Sequence, residues 1–372
     1  MLKSTIETCR RFYNDCLAER KTVYESEGRT VSKVEQLRRV KELKATSPYA
    51  TGIHSHVLQV VVADLDKAFR AFFRRVKSGE KPGYPRFKGR DRFDSFGLKE
   101  YGNGFKLSGR RLKVSGVGRI AVRWHRELPS EPSTLRIVRK ADGWYVCFTC
   151  EVPVVDLPPT GKHVGLDVGI KNIITDSSGN STDNPKWYMA GQKKLRVLQR
   201  SVSRKKKGSS TRRKAVKSLQ RHHLKISRQR QDFLNKLANK LVCENDLIVL
   251  EDLQIRNLVK NHHLSKSILD AGWQYLVSKL HGKAEEAGRV VIRVNPAYTS
   301  KSCSGCGHIF EGQKLSDRWI TCPECGLSLD RDHNAAINIL KRGLESLGGD
   351  GQSLWASSDL MLGSLAQEAA GF

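Results

Sequence analysis

No run of about 18 apolar residues occurs anywhere in the chain, so no ordinary membrane-spanning helix is expected. The opening Met1-Leu2-Lys3-Ser4 starts no apolar signal-peptide core either. A soluble, intracellular (cytoplasmic) protein with no membrane partner is the resulting expectation. Acidic residues are scarce: 38 Asp and Glu stand against 66 Lys and Arg, for a formal charge of +28. A surface that positive calls for a polyanionic partner. Nucleic acid fits better than a membrane surface, because a membrane-surface protein more often concentrates its charge on one amphipathic helix with a strong apolar face. Charge alone leaves ribosomal and histone-like roles open. There is no internal repeat. What is present is a 372-residue chain with 38% hydrophobic residues, enough to bury real cores in two or three modules.

Residues 5–78 read as helices, with Val57, Val61, Leu65, Phe69, Phe72 and Val76 recurring at steps of three and four. From Gly79 to about Pro158 the pattern changes to short alternating runs such as Arg119 to Trp124 and Trp144 to Phe148, broken by Gly and Pro. This predicts a small β module, a barrel in form. After Gly161 a strand pair is expected (Val164 to Ile170, Asn172 to Thr175), then one long helical stretch from about Gly191 to Glu244. A buried strand, Leu247 to Leu250, precedes a further helix over roughly Ser265 to Ala287. Mixed order of this kind predicts an α/β core.

Nine cysteines in a long intracellular chain point to metal spacing rather than a disulfide framework. Cys303-Ser304-Gly305-Cys306 and Cys322-Pro323-Glu324-Cys325 are two C-x-x-C pairs, each followed by a glycine, Gly307 and Gly326. Two such knuckles supply the four thiolates of a tetrahedral Zn²⁺ site, and the glycines suit turns with positive φ. With four ligands and no open position, one structural zinc is expected. A third pair, Cys147 and Cys150, lies in a strand, where residues three apart face opposite sides, and is read as packing cysteines.

Three carboxylates sit where carboxylates are costly. Asp167 interrupts the apolar run Val164-Gly165-Leu166-Asp167-Val168, Glu251 ends the run Leu247-Ile248-Val249-Leu250, and Asp332 opens a helix seven residues after the last cysteine. Acidic groups on separate elements can hold two Mg²⁺ ions at a phosphodiester. Taken alone, Asp332 reads equally well as a capping or turn carboxylate, and Asp330 and Asp252 are open rivals for the same roles.

The order Gly165-Leu166-Asp167-Val168-Gly169, Glu251-Asp252-Leu253, Thr299-Ser300, the two C-x-x-C-G knuckles and Asp330-Arg331-Asp332-x-Asn334-Ala335-Ala336-x-Asn338-Ile339 resembles the TnpB (OrfB) family. These are transposon-encoded proteins close to the ancestors of compact type V CRISPR effectors. The resemblance spans about residues 5–342. It implies a multidomain α+β protein: a helical recognition module (1–78), a wedge-like β-barrel (79–158) and an RNase H-like (RuvC) α/β nuclease domain (159–298) completed by a final helix (329–345). A zinc ribbon (299–328) is inserted, and a C-terminal tail (346–372) follows.

The resemblance further implies an RNA-guided DNA endonuclease with Asp167, Glu251 and Asp332 as its triad, two Mg²⁺, one Zn²⁺ and a guide RNA. Its partners would be double-stranded and single-stranded target DNA beside a short transposon-adjacent motif. The protein would be monomeric in its ribonucleoprotein, in a prokaryotic, nucleoid-associated setting. One departure is that the extra β-strand usual before the segment Cys9 to Asn14 is not seen. A compact CRISPR effector and a nuclease-inactive RNA-guided regulator are the alternatives. A DNA-strand transferase lacks support, since no Tyr or His-hydrophobe-His site occurs.

Between Lys193 and Arg230 there are sixteen Lys or Arg and no Asp or Glu. Lys205, Lys206, Lys207, Arg212, Arg213 and Lys214 form its densest part and are expected to meet a phosphate backbone, the heteroduplex of guide and target, without reading sequence. Tyr84, Phe87, Lys88, Arg90 and Arg92 interleave aromatic and basic side chains, a weaker nucleic-acid signal that core packing explains as well.

Overall fold

The computed structural model describes residues 1–312 and 317–348; of the expected tail, residues 349–372 lie outside the described residues. Two compact units follow one another, Met1–Val152 and a second that begins at Pro153. Among the described residues no helix is long and apolar enough to cross a membrane.

The first unit opens with helix α1 (Leu2–Glu27), which buries Ile6, Cys9, Phe12, Tyr13, Cys16 and Leu17 along one side. It stops at Gly28, whose φ of 65° makes the left-handed cap that glycine permits. Helix α2 (Lys33–Thr46) starts with a capping box between Ser32 and Glu35, and a single turn, α3 (Pro48–Thr51), leads to α4 (Ser55–Lys77). Val57, Val61, Leu65 and Phe69 of α4 are buried, but the stripe then leaves the core: Phe72 is half-buried and Val76 is 51% exposed.

Six strands follow: β1 (Ser95–Leu98), β2 (Phe105–Ser108), β3 (Arg111–Val114), β4 (Gly118–Ala121), β5 (Thr134–Arg139) and β6 (Trp144–Thr149). They form two antiparallel sheets, β1-β5-β6 and β2-β3-β4. Phe96, Leu98, Phe105, Leu112, Leu135 and Ile137 close on the same core as the helices, so helical and strand segments make one unit. Cys147 corrects an expectation: it lies on edge strand β6 and is exposed rather than packed, while Cys150 just beyond the strand is half-buried.

The second unit is built on a five-stranded sheet in the order β11-β10-β7-β8-β9. Its strands are β7 (His163–Val168), β8 (Asn172–Asp176), β9 (Ser181–Asp183), β10 (Leu247–Glu251) and β11 (Val290–Val294). Strands β11, β10 and β7 run parallel, and β8 and β9 are antiparallel additions. The expected helical stretch over 191–244 consists of two helices, α5 (Trp187–Ser203) and α6 (Ser210–Glu244). Gly208, at φ 89°, turns the chain, and Ser209 caps the new helix by accepting from the Arg212 amide at 3.1 Å. The expected helix over 265–287 is likewise divided, into α8 (Ser265–Ala271) and α9 (Trp273–Glu286), by Gly272 at φ 74°. A single turn, α7 (Ile255–Leu258), precedes them. The hairpin β12 (Trp319–Thr321) and β13 (Ser328–Asp330) then runs into α10 (Arg331–Ser346).

Both faces of the central strands are covered, which is why Leu247 to Leu250 reads as an unbroken apolar run. Ile248 and Leu250 pack with Leu234 and Leu241 of α6 and Leu276 and Leu280 of α9, whereas Leu247 and Val249 pack against Ile339 of α10. Helix α10 lies very close to β7. A methyl group at Gly165 would run into the Ala336 carbonyl oxygen and come within 2.6 Å of the Leu340 amide.

Candidate active site

That close approach sets where the carboxylates meet. Side chains two apart on a strand share a face, so Asp167 projects to the same side as Gly165, the side α10 covers. Leu166 pairs with Leu250 across the parallel ladder, which puts Asp167 and Glu251 side by side one residue further on. Glu251 shares its face with Leu247 and Val249, again the side of α10. The start of α10, with Asp332 one turn before Ala336, completes the group.

The electrostatics record this meeting. Burial pushes the Asp167 carboxyl up to about 8, and the Glu251 and Asp332 carboxylates push in the same direction. Burial also raises Glu251, against the hydrogen bond from Thr299. Thr299 Oγ1 donates to Glu251 Oε1 at 2.5 Å. Among the described residues only the four cysteines gather ligand atoms within 4.8 Å of one another. The three carboxylates therefore feel each other's charge without closing to shared-ligand distance.

The neighbouring acids have other work. Asp330 is the N-cap of α10, its Oδ1 accepting from the Asp332 amide at 2.8 Å and the His333 amide at 3.3 Å. Asp252 pairs with Arg293 at 3.1 Å and is half exposed. Asp332 itself is held by Arg318, whose Nη1 lies 3.3 and 3.1 Å from its two oxygens.

The cysteines are already arranged for a tetrahedral ion. Cys303 and Cys325 sulfurs are 3.6 Å apart and Cys306 and Cys322 sulfurs 3.5 Å, close to the roughly 3.8 Å edge that a Zn–S bond of about 2.3 Å implies. Each knuckle closes the same way. The Gly307 amide donates to Cys303 O at 2.9 Å and the Gly326 amide to Cys322 O at 3.0 Å, with φ of 82° and 71° at the glycines. Burial opposes ionisation of Cys303, yet N–H groups of Cys306 and Gly305 aimed at it bring its thiol down to about 7. The donor set fits zinc.

Two buried asparagines join the two sites. Asn334 accepts from the Ser304 amide at 2.8 Å and donates to Ser302 O at 2.7 Å, and Asn338 donates to Thr299 O at 2.8 Å and Ser302 O at 2.7 Å. The first knuckle, the hydroxyl that holds Glu251 and the helix that carries Asp332 are thus one hydrogen-bonded block.

Residues 146–262 match the family model OrfB_IS605, described as "Probable transposase", and residues 273–339 match the Cas12f1-like TNB domain. A protein of Streptomyces pristinaespiralis, whose name assigns it RNA-guided DNA endonuclease activity by inference, is 37% identical over 359 residues. The match covers 94% of this chain and 87% of that protein. The chain belongs to the TnpB (OrfB) family. Another relative, InsQ of Escherichia coli strain K12, named in the same way, is 31% identical over 307 residues, 78% of this chain and 74% of its own. The fold resembles that of Cas12f1 seen by cryo-EM with single-guide RNA and target DNA: the TM-score is 0.60 at 15% identity, covering 91% of this chain and 81% of the other.

For this TnpB-family chain, the structure brings Asp167, Glu251 and Asp332 to one face and the four cysteines to one point. Of the basic residues, Lys206, Lys207, Arg213 and Lys214 are exposed. Lys205 and Arg212 are half-buried, and Lys205 Nζ donates to Ser201 Oγ at 3.1 Å. Sequence reasoning missed Thr299 and Asn338 as ties and Arg318 as the partner of Asp332. Thr299 and Asn338 stood within the motif already quoted, but a polar residue's partner 39 or 48 positions away leaves no local signal.

Proposed function

We propose that this TnpB-family protein is an RNA-guided DNA endonuclease of the RuvC (RNase H-like) type that depends on Mg²⁺ and uses Asp167, Glu251 and Asp332. The observation that carries the reading is Asp167, a half-buried residue whose carboxyl is held near 8 by desolvation and then by the Glu251, Asp332 and, least, Asp330 carboxylates. A protein gains nothing structural from three acids gathered on one half-buried face; divalent cations would relieve the repulsion. The oxygen donors suit Mg²⁺, and two such ions bound there would activate water and stabilise the leaving oxygen of a phosphodiester.

The chain's own residues prepare that chemistry. Asp167 gives up its proton as positive charge arrives. Thr299 fixes one oxygen of Glu251 by donating to it. Asp330 holds the first turn of α10 and so aims Asp332, leaving Asp332 as the third member of the triad. Arg318 balances the Asp332 charge when no cation does. Cys303, Cys306, Cys322 and Cys325 would hold one Zn²⁺, which would anchor the block that carries Thr299 and α10.

In this reading the first unit supplies the recognition helices and wedge, and the second supplies the nuclease with its zinc ribbon. Lys206, Lys207, Arg213 and Lys214, with Lys205 and Arg212 behind them, face the backbone of guide RNA and target DNA. A compact type V CRISPR effector is the second reading, favoured by the Cas12f1-like match over 273–339; a repeat array beside the gene would distinguish it.

The test is alanine at each carboxylate in the guide-loaded protein. Asp167→Ala, Glu251→Ala and Asp332→Ala should each reduce DNA cleavage to background and leave guide-dependent DNA binding largely intact. Near-normal cutting by Asp332→Ala sinks the assignment, and a dead Asp330→Ala with an active Asp332→Ala moves the site by two residues.

A further inference from the structure

The last turns of α4 and the segment after it carry aromatic rings that the core does not use. Phe73 is 52% exposed and Tyr84 45%. They belong to one contiguous cluster: Phe73 lies 5.2 Å from Phe72 between ring centres, Phe72 lies 5.4 Å from Tyr84, and Phe69 underlies both sides at 6.3 and 5.6 Å. Phe69 is buried and has the Arg20 guanidinium 4.9 Å from its ring centre, so the cluster is rooted in the core. Val76 extends the apolar surface along α4.

The charge along this segment is predominantly positive. From Arg70 to Arg90 there are eight Lys or Arg and a single acid, Glu80. Arg70 is engaged by Asp66 at 2.9 Å, while Arg74, Lys77, Lys81 and Arg86 are exposed on the flanks. A second copy of the chain would bring the same positive surface and be repelled. A partner with negative charge and flat π faces is attracted by both features, and nucleic-acid bases on a phosphate backbone combine the two. Paired bases inside a duplex have their faces covered by stacking, so the rings can serve only bases whose faces are free.

We infer that Phe72, Phe73 and Tyr84, with the cations around them, form a stacking platform for unpaired nucleotides of a single-stranded nucleic acid. The inference rests on the proposed reading only in taking nucleic acid as the partner, and it adds a binding site that the cleavage chemistry does not require. Phe73 is the outermost ring and contributes the stacking face. The flanking cations take the phosphates, and the platform is blind to sequence because every base has a π face.

The experiment compares two labelled probes with the full-length protein in buffer without added Mg²⁺: a short oligodeoxythymidine and an abasic strand of the same length, equal in phosphates and lacking bases. The wild type should bind the base-bearing strand about tenfold more tightly than the abasic one. Phe73→Leu, which keeps apolar bulk and removes the ring, should bring that ratio close to one while abasic binding and its salt dependence stay unchanged. Thermal melting of Phe73→Leu establishes that it is folded. A wild-type ratio near one, or a ratio that Phe73→Leu leaves intact, overturns the platform. Concentration-dependent dimerisation that Phe73→Ala abolishes would overturn it too, by making the patch an interface between copies. Cleavage by guide-loaded Asp167→Ala is read separately: retained cutting there refutes the proposed nuclease site and leaves the probe ratio to decide the platform.

Discussion

The cysteine region of the second unit and the carboxylate region proposed to hold Mg²⁺ are prepared to different degrees. The cysteine site is a product of local chain geometry: two tight turns, each closed by a glycine amide, bring four sulfurs within 4.8 Å of one another. The carboxylate site draws on three distant elements, and burial, joined by the charges of its other members, holds Asp167 near 8. Thiols can sit together uncharged, whereas carboxylates cannot approach without either a proton or a cation. A structural site can therefore be nearly closed before its ion arrives, whereas the proposed nuclease site, which would have to exchange ions and admit a phosphodiester, stays open.

The sharpest way to break this comparison is to remove the closed site. Cys303→Ser should reduce bound zinc from one per chain to near zero by metal analysis, loosen the start of α10 and reduce DNA cleavage to background, because Asp332 and Thr299 are tied to that knuckle. A folded, zinc-free and fully active variant would show that the two sites are independent. Asn338→Ala should have a smaller effect, since it cuts one tie and leaves the zinc ligands in place. Losing two buried hydrogen bonds costs about 1–3 kcal/mol of stability. Cleavage should fall about 10- to 100-fold, with zinc content unchanged. Equal activity in wild type and Asn338→Ala would mean that the asparagine only packs.

These two regions also differ in how much of them could be read from the chain. The cysteine pairs are legible because ligand spacing and the following glycine are both local. Asp167 and Glu251 are legible because a carboxylate in an apolar strand is out of place. The family resemblance selects Asp332 over Asp330, and the structure adds that Asp330 caps α10 by accepting from the 332 and 333 amides. Arg318, Thr299 and Asn338 were invisible as partners because their contacts span 14, 48 and 39 residues. In the fold, periodicity located the helices but could not see the breaks at Gly208 and Gly272, where a single left-handed residue turns a helical composition aside. Cys147 was misjudged because a strand's alternation says which residues share a face and not which face is covered.

The smallest expected effect tests the shifted Asp167 carboxyl. In the metal-free protein Asp167 is raised from 3.8 to about 8, so the folded state holds a proton that the unfolded chain gives up first. Stability from this group is fully present below about pH 4 and is lost as pH climbs towards about 8. Asp167→Asn removes the titration. The wild type should therefore lose melting temperature across that window relative to Asp167→Asn, by several degrees. Mg²⁺ should restore the wild type and do little for the variant, and calorimetry near pH 7 should detect proton release when Mg²⁺ binds the wild type. Parallel melting curves for the two proteins between pH 5 and pH 8.5, with and without Mg²⁺, would mean that Asp167 is already ionised in the folded protein and takes up no Mg²⁺.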